Sequence, residues 1–291
     1  MAAAVSLSGC TAKEPNRGPG RTGVPTVVAS TDVWGSVAQA VAGEDARVSS
    51  IVTSGSADPH SFEASPSDTA AITDATVVVY NGGGYDAWVD TVLQSRPDVP
   101  AVNAYKLLDA AALGEPQPAN EHVFYELGTA KAVAAQIAER LAEADPGKAG
   151  QYRSRASEFG KRADEILEQE RALRTTHPGA VAVATEPVAH YLLLAAGLAD
   201  RTPTGFTAAI EQDTDPAPVD VAELLDLITN REVAALMFND QTVTEATRRV
   251  RSAAQTAGVP VVTVTETLPV GSDYLTWQSE TANRLARALG G

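Results

Sequence analysis

Two series of alternating strand-like and helix-like segments, one on each side of a long charged stretch, restrict the folds open to this chain. Short runs rich in valine and other apolar residues recur at 26–30, 47–53, 76–80, 179–184, 233–238 and 259–264. Segments with apolar residues at helical spacing separate these runs. Strands that alternate with helices in this way predict parallel sheets with crossover helices. We therefore predict the α/β fold class, with one sheet on each side of the charged stretch.

The charged stretch runs from 129 to about 175 and is rich in Ala, Glu, Arg and Lys, with apolar residues again at helical spacing. Asp145-Pro146-Gly147 divides it into two predicted helices. The second, from about 150 to 173, would be roughly 35 Å long at 1.5 Å per residue. A plain surface helix is the alternative interpretation. The position between two α/β patterns favours a rigid connector that spans both.

The length of the chain predicts two domains of ordinary size, because 291 residues exceed the usual size of one. We place an N-terminal α/β lobe at 24–148, the connector helix at 149–177 and a C-terminal α/β lobe at 178–291. A hydrophobic content of 44% is sufficient for a packed core in each lobe, so disorder is not expected.

The charge balance narrows the classes of partner. The formal net charge is −15 at pH 7. Binding to nucleic acid requires clustered Lys and Arg that neutralise phosphates, so we exclude nucleic acid as a partner. An acidic surface attracts cations only mildly, because salt screens exposed charges beyond roughly 8–10 Å. The net charge is therefore weak support for a metal site.

The single cysteine, Cys10, ends an apolar run that finishes Leu7-Ser8-Gly9. This run resembles a bacterial lipobox, in which the cysteine becomes the lipid-modified first residue after signal cleavage. We expect residues 1–23 to be a signal remnant and a flexible tether, and Cys10 to anchor an extracytoplasmic body to the cell membrane. A chance cysteine is the alternative, because only nine uncharged residues precede it, whereas a signal normally runs ~15–30 residues with a basic start.

Four residues that can bind a metal ion occupy similar places in the two halves. His60 follows a predicted strand at an Asp-Pro turn, and His122 ends a Pro-rich loop before a helix. Glu186 and Glu266 follow predicted strands, at the ends where doubly wound sheets place their ligands. Two neutral imidazoles and two carboxylates would form a neutral set with a divalent cation, and they suit Mn²⁺, Zn²⁺ or Fe²⁺. A loop histidine that binds nothing is the alternative for His60 alone.

At these residues the chain resembles the metal-binding solute receptors of bacterial ABC importers, the group that delivers zinc or manganese. Its sharpest motif is Asp58-Pro59-His60 with Phe62-Glu63, and the resemblance runs from about Val24 to the C-terminus. It implies two Rossmann-like lobes joined by a rigid helix, with one ion in the cleft between them. It also implies a monomer that hands Zn²⁺ or Mn²⁺ to an ABC permease and its ATPase. The family's ligand positions fall on His60, His122, Glu186 and Glu266.

This chain departs from the family pattern at two site positions. Glu121 precedes the second histidine where the family usually has Pro, and Glu266 stands where Asp is usual. Asp240 and Asp273 are therefore alternatives for the fourth ligand. His190, one helical turn past the third ligand, is an alternative for that position. A helix surface is the simpler place for it.

A metal-dependent hydrolase on the same scaffold is the main alternative function. The chain contains no H-E-x-x-H and no G-x-S-x-G motif. Four protein ligands also leave no open position for a catalytic water. We therefore predict a binding protein and not an enzyme. Two bidentate carboxylates favour Mn²⁺ slightly, whereas intrinsic affinity favours Zn²⁺. The sequence therefore predicts either ion as the bound metal.

Overall fold

The computed structural model describes residues 23–53, 60 and 62–290. Cys10, the tether and the Asp58-Pro59 turn lie outside these ranges, so the lipid anchor stays a prediction. The α/β fold class is confirmed, because the described residues form two sheets of four parallel strands each. Among the helices of these ranges, none combines the length and the apolar character that crossing a bilayer requires.

The first sheet belongs to the N-terminal part of the chain and defines what we call the first lobe. Its strands are β1 (Thr26–Thr31), β2 (Arg47–Val52), β3 (Val77–Tyr80) and β4 (Ala101–Asn103). All pairs are parallel, in the order β2-β1-β3-β4. The direction of winding reverses between β1 and β3, and such a reversal opens a crevice at the carboxyl ends of the strands.

The second sheet repeats this topology and defines the second lobe. Its strands are β5 (Val181–Ala184), β6 (Ala199–Asp200), β7 (Ala235–Asn239) and β8 (Val261–Val264). They are parallel in the order β6-β5-β7-β8. The reversal here falls between β5 and β7. Each sheet therefore offers one crevice at its carboxyl edge, and the candidate ligands follow strands at these edges.

The helices within the described residues are α1 (Asp32–Ala42), α2 (Pro66–Asp74), α3 (Ala87–Ser95), α4 (Ala110–Leu113), α5 (Leu127–Ala144), α6 (Ala149–Thr176), α7 (His190–Ala196), α8 (Thr204–Glu211), α9 (Pro218–Thr229), α10 (Glu245–Ala257) and α11 (Tyr274–Ala288). The predicted long helix is α6, with 28 residues, which corresponds to roughly 42 Å. A short 3-10 turn at Pro146–Lys148 separates it from α5, where the sequence predicted a break.

Helix α6 contacts both lobes. Near its start, the Tyr152 hydroxyl donates a hydrogen bond to the Asp45 carbonyl of the first lobe (3.1 Å). Near its end, Arg174 Nη2 donates to the Leu194 carbonyl of the second lobe (2.9 Å). Along this length seven of its residues are buried, namely Tyr152, Ala156, Phe159, Ala163, Ile166, Glu170 and Leu173. The helix thus acts as a connector, and the residue numbers at which each lobe begins and ends stay a prediction.

One apolar core cluster extends through both lobes. It includes Trp34 and Val79 from the first lobe and Leu192 and Trp277 from the second. The Trp277 ring lies 4.9 Å from the Tyr125 ring, centroid to centroid, and both side chains are buried. Because the two sheets share this core, separating the lobes would expose apolar surface to water. Each Å² exposed costs about 25 cal/mol of free energy.

Hydrogen bonds across the lobe junction converge on the 3-10 turn Val123–Tyr125. The Phe124 carbonyl accepts from the Tyr274 hydroxyl (2.8 Å) and from Gln278 Nε2 (2.9 Å). The Tyr125 hydroxyl donates to the Thr265 carbonyl (3.0 Å). These bonds join α11 and the end of β8 to the residues that directly follow His122. The junction therefore holds parts of both lobes in register beside the candidate site.

We expect Trp277→Ala to lower the free energy of unfolding by about 3–5 kcal/mol, because it removes a fully buried indole from the shared core. The matched control is Trp88→Ala, since Trp88 is only partly buried against its cluster and should cost less. Urea denaturation followed by circular dichroism measures both losses. An equal or smaller loss at Trp277 would contradict its place in a tightly packed core.

Candidate metal centre

The candidate ligands approach one another where the carboxyl edges of the two sheets meet. Glu266 lies just past β8, and Glu186 lies just past β5. His122 directly precedes the 3-10 turn at the lobe junction, and His60 lies in the connection between β2 and α2. The first lobe thus provides both imidazoles, and the second lobe provides both carboxylates.

Three of these residues form a compact group. His60, His122 and Glu266 each offer a ligand atom, and the three atoms lie within 4.8 Å of one another. Glu266 Oε2 is 3.5 Å from His60 Nε2 and 3.8 Å from His122 Nε2. Two ligands that are each about 2.1 Å from one ion at a tetrahedral angle stand roughly 3.4 Å apart. The observed spacing is therefore close to that of ligands sharing one ion.

The buried oxygen at the centre of this group also fits a cation. Within the described residues, no hydrogen bond reaches Glu266 Oε2, whereas Oε1 accepts one from Asn239 Nδ2 (2.8 Å). Burial alone would raise the Glu266 pKa, but His60 and His122 outweigh it and lower the pKa below its usual value. The carboxylate is therefore ionised at neutral pH, with one oxygen directed at two ring nitrogens.

His122 is prepared as a neutral ligand. Asn120 Oδ1 accepts from the His122 backbone N–H (2.8 Å) and lies 3.1 Å from its Nδ1. Asn120 Nδ2 donates to the Pro187 carbonyl (3.2 Å), which sets the orientation of the amide. The proton thus sits on Nδ1, and the Nε2 lone pair faces Glu266. Burial lowers the His122 pKa to about 4, so protons do not compete for this nitrogen near pH 7.

His60 is the more exposed histidine, with 27% of its side chain accessible against 1% for His122. Its ring packs edge-on against the Tyr85 ring, with 4.6 Å between the centroids. Its Nδ1 lies 3.6 Å from Glu121 Oε1, on the side opposite to Glu266. Both ring nitrogens therefore face carboxylates.

Glu186 is buried at the same edge, but its carboxylate is outside the compact group. It accepts a short hydrogen bond from the Thr242 hydroxyl. Asn239 Nδ2 donates both to Thr242 Oγ1 (3.0 Å) and to Glu266 Oε1 (2.8 Å), so the two glutamates are linked through these polar residues. Burial, and then the nearby Glu266 charge, raise the Glu186 pKa to about 7. Its role as a ligand stays a prediction.

The alternative ligands have other roles in the structure. Asp273 accepts from the Thr276 backbone N–H (2.9 Å) and caps α11, and Asp240 is exposed. His190 Nε2 lies 2.9 Å from Glu115 Oε2, in a contact between the lobes. Of the candidates for the fourth ligand, only Glu266 therefore belongs to the compact group, and Asp240 and Asp273 do not.

Two residues near the site were not predicted from the sequence. Asn239 ends β7 and binds Glu266, and the rule that located the strand-end glutamates would also have found it. Glu211 ends α8, and although the residue is exposed, partial desolvation and repulsion from Glu121 and Glu266 raise its pKa to about 7. No local pattern marks it, because only the packing of α8 brings it near the site. The additional carboxylates increase the benefit of a bound cation.

Two parallel sheets with a shared core and a His/Glu cluster between their carboxyl edges define a two-lobed metal-binding protein. The chain belongs to the family described as zinc-uptake complex component A, periplasmic (ZnuA), which it matches over residues 27–288. It is 29% identical over 168 residues to the manganese-binding lipoprotein MntA of Halalkalibacterium halodurans. That alignment covers 58% of this chain and about half (55%) of the relative's length. The predicted family resemblance is confirmed.

Solved structures agree on the fold. The periplasmic zinc-binding protein TroA of Treponema pallidum has a TM-score of 0.76 at 19% identity, over 92% of this chain and 99% of that one. The laminin-binding protein Lmb of Streptococcus agalactiae, described as having adhesin and metal-transporting activity, also has a TM-score of 0.76, at 25% identity over 91% and 99% of the two chains. The two-lobed architecture is therefore shared along almost the whole length of both.

We expect Glu186→Gln to stabilise the metal-free protein above pH 7, by up to about 3 kcal/mol. The raised pKa, about 7, means that the folded wild type still holds a proton after the unfolded chain has lost it. Wild-type stability therefore falls as pH rises from about 4.5 to 7, and the advantage of the variant should vanish below about pH 4.5.

Urea denaturation across this pH range, with a chelator present, measures the difference. Glu165→Gln is the control, because Glu165 is an exposed residue of α6 and should leave the pH dependence unchanged. A constant stability difference between Glu186→Gln and wild type at all pH values would contradict the raised pKa.

Proposed function

We propose that this protein is an extracytoplasmic receptor that binds one divalent transition-metal ion, Mn²⁺ or Zn²⁺, and delivers it to an ABC permease and its ATPase. The observation that carries the proposal is the group formed by His60, His122 and Glu266, whose ligand atoms lie within 4.8 Å of one another. Family membership supports it, as do the printed names of relatives that bind manganese or zinc. The ion is the cargo of the protein.

In this proposal Glu186 completes the ligand set with His60, His122 and Glu266. Its carboxylate must then give up the Thr242 hydroxyl or use its second oxygen, and it must lose its proton near pH 7. Two glutamates can supply three or four oxygens to the ion, which suits Mn²⁺, and the imidazoles suit Zn²⁺. The donor set thus accepts both ions.

The geometry favours binding over hydrolysis. Catalytic zinc sites keep one position open for water, and they need a base near that water. Here His122 and Glu266 are 1% and 3% exposed, and the Phe124 ring of the lobe junction packs edge-on against the His122 ring. A closed site that is formed by two lobes holds an ion until the lobes separate, which is the behaviour of a carrier.

We further propose that Cys10 carries a lipid anchor and that residues 1–23 tether the folded body to the membrane, as the lipoprotein name of the MntA relative suggests. The body would act as a monomer with lobes at 24–148 and 178–291, joined by 149–177. No nucleic acid takes part. An anchored receptor stays close to its permease, which raises their effective concentration.

Protein purified without added metal should carry about one Mn²⁺ or Zn²⁺ ion per chain, measured by elemental analysis. After removal of the metal, either ion should raise the melting temperature, because a ligand that binds only the folded state stabilises it by RT ln(1 + [L]/Kd). His60→Ala and His122→Ala should weaken metal binding by more than about 100-fold. Loss of a residue that only hydrogen-bonds a ligand typically weakens binding by about 10- to 100-fold, and loss of a ligand should exceed that.

His177→Ala is the matched control, because His177 lies at the end of α6 and should leave binding unchanged. Competition between Zn²⁺ and Mn²⁺ in the same samples gives the preference. A protein that is stabilised by neither ion would contradict the proposed function. Equal binding by His122→Ala and His177→Ala would contradict the ligand set.

A further inference from the structure

The two histidines of the site are supported in different ways. His122 is buried among aromatic rings, whereas the His60 side chain contacts the Tyr85 ring and is 27% exposed. Metal-binding histidines usually donate their second ring N–H to an oxygen atom, which fixes the ring and its tautomer. For His122 this oxygen is Asn120 Oδ1, 3.1 Å from Nδ1. For His60 the oxygen on the Nδ1 side is Glu121 Oε1, at 3.6 Å. The consecutive residues Asn120 and Glu121 thus each place an oxygen atom beside the Nδ1 atom of one histidine.

The backbone of Glu121 is held in place. Its carbonyl accepts from Asn81 Nδ2 (2.8 Å) and from the Val123 backbone N–H (2.7 Å). Asn81 Oδ1 in turn accepts from the indole Nε1 of Trp34 (3.2 Å), and both of these side chains are fully buried. The carboxylate therefore extends from a fixed point of the first lobe toward His60.

The glycine run after β3 makes room for this carboxylate. Gly84 has a φ of +105°, and a Cβ atom at this position would lie 3.2 Å from Glu121 Oε2. That distance is tighter than an ordinary carbon–oxygen contact, and the positive φ also disfavours any side chain. One oxygen of Glu121 thus lies over Gly84 while the other faces His60 Nδ1. This contact gives Gly84 a specific role in the site.

We propose that Glu121 is a positioning residue that holds the His60 ring with its Nδ1 proton on the carboxylate and Nε2 directed at the metal. The inference rests on the proposed function and refines it. His60 Nε2 already lies 3.5 Å from Glu266 Oε2. The ring is therefore between two carboxylates, the partly exposed Glu121 and the buried Glu266. In the proposed metal-bound state the 3.6 Å contact with Glu121 shortens to a hydrogen bond, which would make Nε2 more basic and hence a stronger ligand.

Binding measurements test the energetic part. Glu121→Gln keeps the length of the side chain and removes its charge, and we expect the Kd for Zn²⁺ and Mn²⁺ to rise by about 10-fold or more in competition with a chromophoric chelator. Glu165→Gln is the control, since it removes an exposed carboxylate of α6, away from the ligand set. It should change the Kd by less than about twofold, within the scatter of surface substitutions.

The ring itself gives the second readout. In Zn²⁺-loaded protein with ¹⁵N-labelled histidine, the chain offers only four rings, and His60→Ala assigns the signal. We expect a downfield, slowly exchanging Nδ1 proton for His60 that moves upfield and exchanges faster in Glu121→Gln. Circular dichroism of the metal-free variants checks that both fold.

The outcomes separate the two proposals. A wild type that binds neither ion would overturn the proposed function. A wild type that binds, with equal Kd in Glu121→Gln and Glu165→Gln, would overturn only the positioning role. A higher Kd with an unchanged His60 Nδ1 proton would also overturn it, because Glu121 would then act on the ion through its charge and not through the ring.

Discussion

The candidate site is organised around one buried oxygen atom. Glu266 Oε2 faces the Nε2 atoms of His60 and His122 at 3.5 and 3.8 Å, and within the described residues no hydrogen bond satisfies it. A buried carboxylate oxygen is costly unless it is paired. The second lobe provides the oxygen and the first lobe provides the imidazoles. An ion between them would therefore satisfy the oxygen and bind the lobes together at once.

The same short segment forms the site and the lobe junction. His122 directly precedes the 3-10 turn Val123–Tyr125, whose Phe124 carbonyl receives two hydrogen bonds from α11. Movement of the lobes would therefore move His122 relative to Glu266. Because binding and junction geometry are linked through adjacent residues, a partner that separates the lobes would also weaken the site.

The strand ends that carry the site were predictable from the sequence, but the hydrogen-bond partners of the site residues were not. The carboxyl ends of β5 and β8 were predictable from apolar runs, so Glu186 and Glu266 could be placed at one edge of a sheet. The Thr242 hydroxyl on Glu186 and the approach of Glu211 were not predictable, because they arise from residues distant along the chain. Asp273 shows the opposite error, since a plausible ligand in sequence is a helix cap in the structure.

Local patterns were sufficient for the α/β class, the long helix α6 and the four ligand candidates, because periodicity and strand ends are properties of short segments. Packing between segments had to settle which candidates meet. It brought His60 and His122 to Glu266 and left Glu186 on Thr242. It also set the Glu121 carboxylate beside His60 Nδ1. Distances of a few ångströms between residues far apart in the chain depend on how the two lobes dock, and no local pattern encodes that docking.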